Sequence, residues 1–440
     1  MSSKQQTSEV MEENKQALVP KLRFPEFREA GGWKYIPLNR LAIRAKQKNR
    51  DGKIDRVLTN SAEFGVVDQR NFFDKDIATQ GKLEGYVVVE FGSYVYNPRV
   101  SSIAPVGPIS KNKIGTGVMS PLYTVFKFKD DRNDFYEHFF KTTGWHTYIR
   151  QASSTGARHD RMAISSDDFM AMPLPGSSPA EQQKIADCLS SLDELIALQV
   201  RKVDALKTHK KGLMQQLFPR EGETQPRLRF PEFMSVGGWE EKPFSNLCSI
   251  KHGFAFDGEF FSNEGEYVLL TPGNFYEDGG YRDRGDKQKY YSGEIPKDYI
   301  LNCGDLLLAM TEQAAGLLGS PILVPESDKF LHNQRLGLVR KKSGIAWMTE
   351  FFFHVFNTQP VRKAIHANAT GAKVRHTSPT KIGEVVFHFP NSLLEQQRIV
   401  GCLTTIDDLI TVQTKKLEAL KAHKKGLIQK LFPPIEVVEA

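Results

Sequence analysis

Apolar residues recur at alternating spacings of four and three along two stretches of this chain. The first runs through Ile185, Leu189, Leu192, Ile196, Val203, Leu206, Leu213 and Leu217. The second runs through Ile399, Leu403, Ile406, Ile410, Leu417, Leu420, Leu427 and Leu431. A seven-residue period held this long predicts a long helix with a coiled-coil seam. Polar residues interrupt the two seams at matching places, Gln199 and Lys210 in one and Gln413 and Lys424 in the other. Such interruptions lower stability but fix register and partner. Each stretch opens on a capping box, Ser178-Pro179-Ala180-Glu181 and Ser392-Leu393-Leu394-Glu395. There the serine oxygen takes the third backbone N–H and the glutamate is expected to fold back onto the cap. Pro179 falls at the first helical position, where its missing N–H costs nothing. Gly212 and Gly426, each after a Lys-Lys pair, read either as stops or as kinks. The apolar period continues past them to Phe218 and Phe432, so Pro219 and Pro433 are the firmer limits.

Ahead of each long helix the pattern changes to short β-branched and aromatic runs between turn residues. Gly85–Val89, Tyr94–Pro98 and Leu122–Phe126 read as strands, as do Tyr267–Leu270, Asp305–Leu308 and Leu336–Val339. Helical segments follow near Phe135–Tyr148 and Met348–His366. Each of these regions is therefore expected to be an α+β domain.

The two halves are copies of one another. Leu-Arg-Phe-Pro-Glu-Phe (Leu22–Phe27) and Gly31-Gly32-Trp33 return as Leu228–Phe233 and Gly237-Gly238-Trp239. Glu181–Pro219 returns as Glu395–Pro433, both ending in Leu-Lys-x-His-Lys-Lys-Gly-Leu-x-Gln-x-Leu-Phe-Pro. The shift is 206 residues at Phe24, 212 at Leu58 and Gly92, 215 at Thr155 and 214 at Glu181. A register that drifts so little marks a tandem duplication of a whole domain with its helix, and a period this long excludes solenoid repeats. The expected order is a disordered tail 1–19, a globular domain 20–177, a helix 178–219, a second domain 220–391, a helix 392–433 and a tail 434–440. The two helices pack most economically on each other, which favours antiparallel pairing and a pseudo-twofold molecule. Separate docking onto a larger partner and two unrelated surface helices are the alternatives. Roughly 36 residues at about 1.5 Å each give a rod of about 54 Å. That length would let its ends reach sites about one 34–36 Å turn of B-DNA apart.

Composition narrows the class. The chain has 440 residues, 40% hydrophobic and 25% charged, which suits two independent cores. No apolar run is long enough for a membrane span, and Met1–Val19 lacks the apolar segment of a signal peptide. None of the four cysteines, Cys188, Cys248, Cys303 and Cys402, forms a Cys-x-x-Cys. Neither a zinc site nor a disulfide framework is indicated, and a reduced cytoplasmic protein is expected. A net charge of +7 is compatible with nucleic-acid binding without requiring it.

Candidate chemistry is of the binding kind. The motifs of phosphate-binding loops, zinc peptidases and serine hydrolases are missing, and Asn97-Pro98-Arg99 lacks the second proline and aromatic of an adenine methyltransferase motif. Basic and polar loop residues are plentiful, and such side chains contact phosphates and read base edges. The candidates are Arg44, Lys46, Arg99, Arg158, His159 and Arg161 in the first domain. In the second they are Arg284, Gln313, Lys373, Arg375 and His376. Arg158-His159 and Lys373/Arg375-His376 stand out because they follow a shared Thr-Gly-Ala in otherwise diverged domains. A solvated surface charge is the competing reading for each. The candidate helix–helix interface is Ile185, Leu189, Leu192, Ile196, Gln199, Val203 and Leu206 with Ile399, Leu403, Ile406, Ile410, Gln413, Leu417 and Leu420.

Taken together these strings resemble the specificity subunit of type I restriction–modification systems. The strings that carry it are Leu-Arg-Phe-Pro-Glu-Phe…Gly-Gly-Trp, Ser120–Tyr123, Asn333-Gln334-Arg335, Glu-Gln-Gln followed by Lys or Arg and Ile, His-Lys-Lys-Gly-Leu and Gln-x-Leu-Phe-Pro. The resemblance covers nearly the whole chain. It implies two target recognition domains, each reading half of a split double-stranded DNA sequence, with the paired helices as spacer. It also implies docking of two modification subunits that use S-adenosylmethionine, joined by restriction subunits that use ATP and magnesium. No cofactor or catalytic residue is then expected in this chain. The rival readings are an enzyme with an unfamiliar site and a coiled-coil scaffold without DNA contact.

Overall fold

The computed structural model describes residues 18–72, 83–153, 160–312, 316–345 and 347–433. The polypeptide forms two compact units. One comprises residues 1–200 with 416–440, the other 201–415. The two long helices, Pro179–Leu217 and Leu393–Leu431, each have 39 residues and contribute one half to each unit. Both stay helical through the glycines at 212 and 426, so these do not stop the helix.

Within the first unit the strands Ala42–Arg44, Thr124–Phe128, Tyr94–Tyr96 and Ile109–Lys111 lie side by side in that order, all antiparallel. Their inner face meets the helices Asp134–Phe139 and His146–Ala152 in a ring-rich core. Tyr94, Tyr96, Phe126, Phe135, Phe139, Trp145 and Phe169 are fully buried there. The two tyrosine hydroxyls are satisfied by the carbonyl oxygens of Asn133 and Val106, at 3.0 and 2.9 Å. A second, aliphatic core of Leu58, Val66, Val89, Val95, Met119 and Val125 lies over the other strands.

Within the second unit the order Cys248–His252, Leu336–Lys341, Leu306–Ala309, Pro321–Leu323 repeats the same sheet. The parallel pairing of Val268 with Phe330 matches that of Val57 with Val118 in the first unit. The two domains whose sequences have diverged are therefore one scaffold, because a pleated sheet needs only apolar residues at inward positions, whatever their identity.

The helical segments near Phe135–Tyr148 and Met348–His366 each resolve into two short helices. The second splits into Thr349–Phe356 and Gln359–Ala367 because Pro360 can only open a helix, and Thr358 turns its hydroxyl to the Val355 carbonyl at 2.7 Å. The first breaks at Thr142–Trp145, where Gly144 lies between the two helices.

The capping boxes form only in part. Ser178 and Ser392 each accept the backbone N–H three residues on, at 3.3 Å. The glutamates do not fold back onto the caps. Glu181 is buried and takes Arg23 Nε and Nη2 at 2.6 and 2.8 Å and Trp33 Nε1 at 3.1 Å. Glu395 does the same with Arg229, at 2.7 and 2.8 Å, and Trp239 at 3.0 Å. A bidentate guanidinium outcompetes a single backbone amide for a buried carboxylate. This explains the repeated strings: Arg23 and Arg229 come from Leu-Arg-Phe-Pro-Glu-Phe, Trp33 and Trp239 from Gly-Gly-Trp. The same hexapeptides hold the next helical turn, since Lys184 lies over Phe24 with Glu26 at 3.1 Å and Arg398 over Phe230 with Glu232 at 3.3 Å.

The helix halves pair antiparallel inside each unit. In the first unit Lys424 bonds Asp193; in the second Lys210 bonds Asp407 at 2.6 and 2.8 Å. The lysines that interrupt the apolar seam thus each meet an aspartate of the opposite helix. Every interface residue expected from the seam is buried or half-buried. Ile185 and Leu189 pack not only along the helices but into the first unit's ring core, as Ile399 and Leu403 do in the second. The closing residues do likewise: Phe432 meets Trp33, Phe135 and Phe139, and Phe218 meets Trp239 and Phe351. No described helix is long and apolar enough to cross a membrane.

Candidate nucleic-acid interface

In both units the segment after Thr-Gly-Ala is stitched to the loop that leaves one strand of the ring-side sheet, Tyr94–Tyr96 in the first unit and Leu306–Ala309 in the second. In the second unit Thr311–Glu312 pairs antiparallel with Arg375–His376. Thr370 and His376 exchange backbone bonds of 2.9 and 2.8 Å, closing a turn over residues 371–375. Gly371 is required there: its φ is +103°, and a Cβ would sit 2.1 Å from the Val374 oxygen. Lys373, Arg375 and His376 are exposed on this turn. In the first unit the matching contact is the antiparallel bridge between Arg99 and Arg161, flanked by Val100 N to Asp160 O at 3.0 Å and Met162 N to Pro98 O at 2.9 Å. Like charges directly opposite would repel. Asp160 lies between them, its Oδ2 3.7 Å from Arg99 and 3.8 Å from Arg161.

The loop beside each turn closes on a left-handed glycine at matching positions, Gly107 with φ +81° and Gly319 with φ +76°. At Gly107 a Cβ would meet the Asn97 oxygen at 2.0 Å, so the loop can close only around a glycine. In the second unit the loop is also held from inside. The buried Glu312 carboxylate accepts the backbone N–H groups of Gly316, Leu317 and Leu318 at 3.1, 3.1 and 2.9 Å. Arg362 donates to the Gly316 oxygen and to the Glu277 oxygen, the latter at 3.2 Å. Burial draws the Arg362 guanidinium down to about 10 against the pull of Glu312, Asp278 and Glu277, leaving it charged at neutral pH.

The expected reading residues separate into groups. Lys46, Arg99, Lys373, Arg375 and His376 are exposed, and Arg161 is half-buried. Arg44 and Arg284 are half-buried; Arg44 donates to the Ser166 hydroxyl and Arg284 lies beside Gly273. Arg158, His159 and Gln313 lie outside the described residues. Glu312, His366 and Arg362 gave no signal in the sequence because a lone buried carboxylate and its partners follow no spacing rule. What the interface offers is hydrogen-bond donors and positive charge on glycine-closed turns, the equipment for contacting phosphates and base edges. Among the described residues no group of three or more His, Cys, Asp or Glu could hold a metal ion.

Residues 237–422 match the model of the type I restriction modification DNA specificity domain. The chain is 24% identical over 333 residues to the type I restriction enzyme MjaVIII specificity subunit of Methanocaldococcus jannaschii, covering 74% of each. The chain is similar to the specificity subunits of type I restriction–modification systems. It is also 27% identical over 184 residues to the EcoBI specificity subunit of Escherichia coli, covering 41% of this chain and 35% of that one. In fold it is similar to the S subunit from M. genitalium, with a TM-score of 0.53 at 14% identity over 94% of this chain and 99% of that one. A chain from a structure of the assembly of a type I R-M system gives 0.54, at 14% identity over 92% and 98%. These likenesses support a type I specificity subunit that recognises DNA.

Proposed function

We propose that each unit reads one half of a bipartite double-stranded DNA target, and that the long helices hold the two halves at a fixed spacing and dock two modification subunits. In this reading residues 20–177 and 220–391 are target recognition domains and 178–219 and 392–433 are spacer helices. The segments 1–19 and 434–440 are tails. The chain itself performs no chemistry. S-adenosylmethionine belongs to the modification subunits, and ATP with magnesium to restriction subunits that join them.

The observation that carries the reading is the contrast between frame and loops. Hexapeptide clamps, seam ion pairs and closing phenylalanines recur residue for residue, while the stitched turns present different side chains, Arg99 with Arg161 against Lys373, Arg375 and His376. A frame that recurs suits two identical partners, and loops that differ suit two unlike half-sites. Leu195 and Leu198 are 50% and 54% exposed on one helix, and their repeat mates Leu409 and Val412 are 46% and 58% exposed on the other. Paired apolar residues in water on a surface helix favour a docking face.

The complex reconstituted with modification subunits should methylate a split sequence. Inserting one heptad at matched points of both helices should change the gap and leave the half-sites alone; altered half-sites with an unchanged gap would refute the spacer role. Leu195→Lys with Leu409→Lys should abolish co-purification with the modification subunit while the chain stays folded. Methylation by the purified chain with S-adenosylmethionine alone would overturn the division of labour.

A further inference from the structure

Arg375 is an exposed cation of the second unit that a histidine beneath it orients. His366 stands against it, with Arg375 Nη1 3.1 Å from Nδ1 and 3.2 Å from Nε2. On its other side His366 Nε2 lies 3.2 Å from Glu312 Oε1. The network fits the tautomer in which Nε2–H donates to Glu312 and Nδ1 accepts from Arg375. Glu312 is itself fixed, its side chain 3% exposed and its second oxygen holding three backbone amides. At the matching position of the first unit stands Val100, so the brace belongs to the second unit alone of the two.

A phosphate contact needs positive charge within reach and tolerates a mobile side chain. Reading a guanine needs a guanidinium fork held in the plane of the base pair. The His366 contact occupies Nη1, and Nε and Nη2 have no partner among the described residues. Those two nitrogens form the edge that matches guanine O6 and N7. Bracing Arg375 before DNA arrives also removes part of the rotamer entropy that an arginine loses on binding.

We propose that Glu312 and His366 are positioning residues that hold Arg375 as the reader of one guanine in the half-site of the second unit. This rests on the reading of the second unit as a target recognition domain. The chain of contacts runs from a buried carboxylate through an imidazole to the guanidinium, and its product is direction rather than charge. Loss of His366 therefore leaves the cation in place and removes its aim.

The test is the base-by-base target sequence of the reconstituted complex, read by methylation of a randomised DNA pool, for Arg375→Ala, His366→Ala and Glu312→Gln. Arg375→Ala should relax one position of one half-site by about 10- to 100-fold. His366→Ala should relax the same position by a smaller factor and leave every other position and the gap unchanged. His366 is 43% exposed on its side chain, so its removal should not unfold the unit, which keeps the test valid if Glu312→Gln misfolds. An Arg375→Ala effect that neither partner variant reproduces would overturn the positioning role and leave Arg375 as a reader. A uniform loss of affinity across all positions with His366→Ala would mark a merely structural residue. If Arg375→Ala leaves the target sequence unchanged, the guanine reading itself fails.

Discussion

Replacing Arg23 by Met should destabilise the first unit by about 3–5 kcal/mol, the cost of leaving a buried carboxylate without its partner. The size follows from the burial of the pair, since the side chains of Arg23 and Glu181 are 9% and 1% exposed. Trp33 Nε1 would remain as a donor to Glu181, but one neutral N–H cannot replace two charged bonds. Arg23 also donates to the carbonyl oxygens of Ala30 and Gly31 at 2.6 and 3.1 Å, so the loop that carries Trp33 would loosen with it. Because a protein is stable by only about 5–15 kcal/mol, the variant should lose much of its first unit's margin. The assay is a double-mutant cycle with Glu181→Leu, followed by urea unfolding and by hydrogen exchange of the amides in 182–192. The double variant should recover part of the loss, because a buried ion pair replaced by apolar residues is often neutral. Exchange in 396–406, held by the separate Arg229–Glu395 clamp, should not change. A single-variant cost below about 1 kcal/mol, or strict additivity in the cycle, would refute the clamp.

Stability should fall on acidification from about pH 6.5 towards pH 4. Burial lowers His138 and His332 to about 4 and His354 to about 3, so the unfolded chain takes up protons below 6.5 that the folded chain refuses. Each histidine accounts for on the order of 3 kcal/mol across that window, and His332→Gln should flatten the acid limb of an unfolding curve by its share. Exchanging the partners as Lys210→Asp with Asp407→Lys should restore most of the stability that either single change removes, measured by thermal unfolding; no recovery would argue against the seam pair. Phe432→Ala should cost about 3–5 kcal/mol in the first unit through the cavity left among Trp33, Phe135 and Phe139, and calorimetry should show the other unit's transition unmoved.

The long helices, their capping serines, the polar seam positions and six of the strands were legible because each rests on local spacing. Lys210 and Lys424 stood out as misfits on an apolar stripe, and misfits on a seam find opposite charges. The repeated Arg-Phe-Pro-Glu and Gly-Gly-Trp strings were equally visible, yet their role was not. Their partners lie 148–166 residues away, and no spacing rule reaches that far.

The candidate interface divides along the same line. Thr-Gly-Ala marked the stitched turn because a left-handed glycine leaves a trace in sequence, as at Gly371. Which arginines face solvent left none: Arg44 and Arg375 look alike as residues, and their burial and partners alone separate them. By itself the sequence determined a duplicated α+β chain with two seam-bearing helices. The tertiary structure decided that each capping glutamate serves a distant arginine instead of its own cap, and that Glu312 reaches Arg375 through His366. Local periodicity follows from the geometry of one helix or strand, whereas these pairings follow from which buried charges the fold brings together out of water.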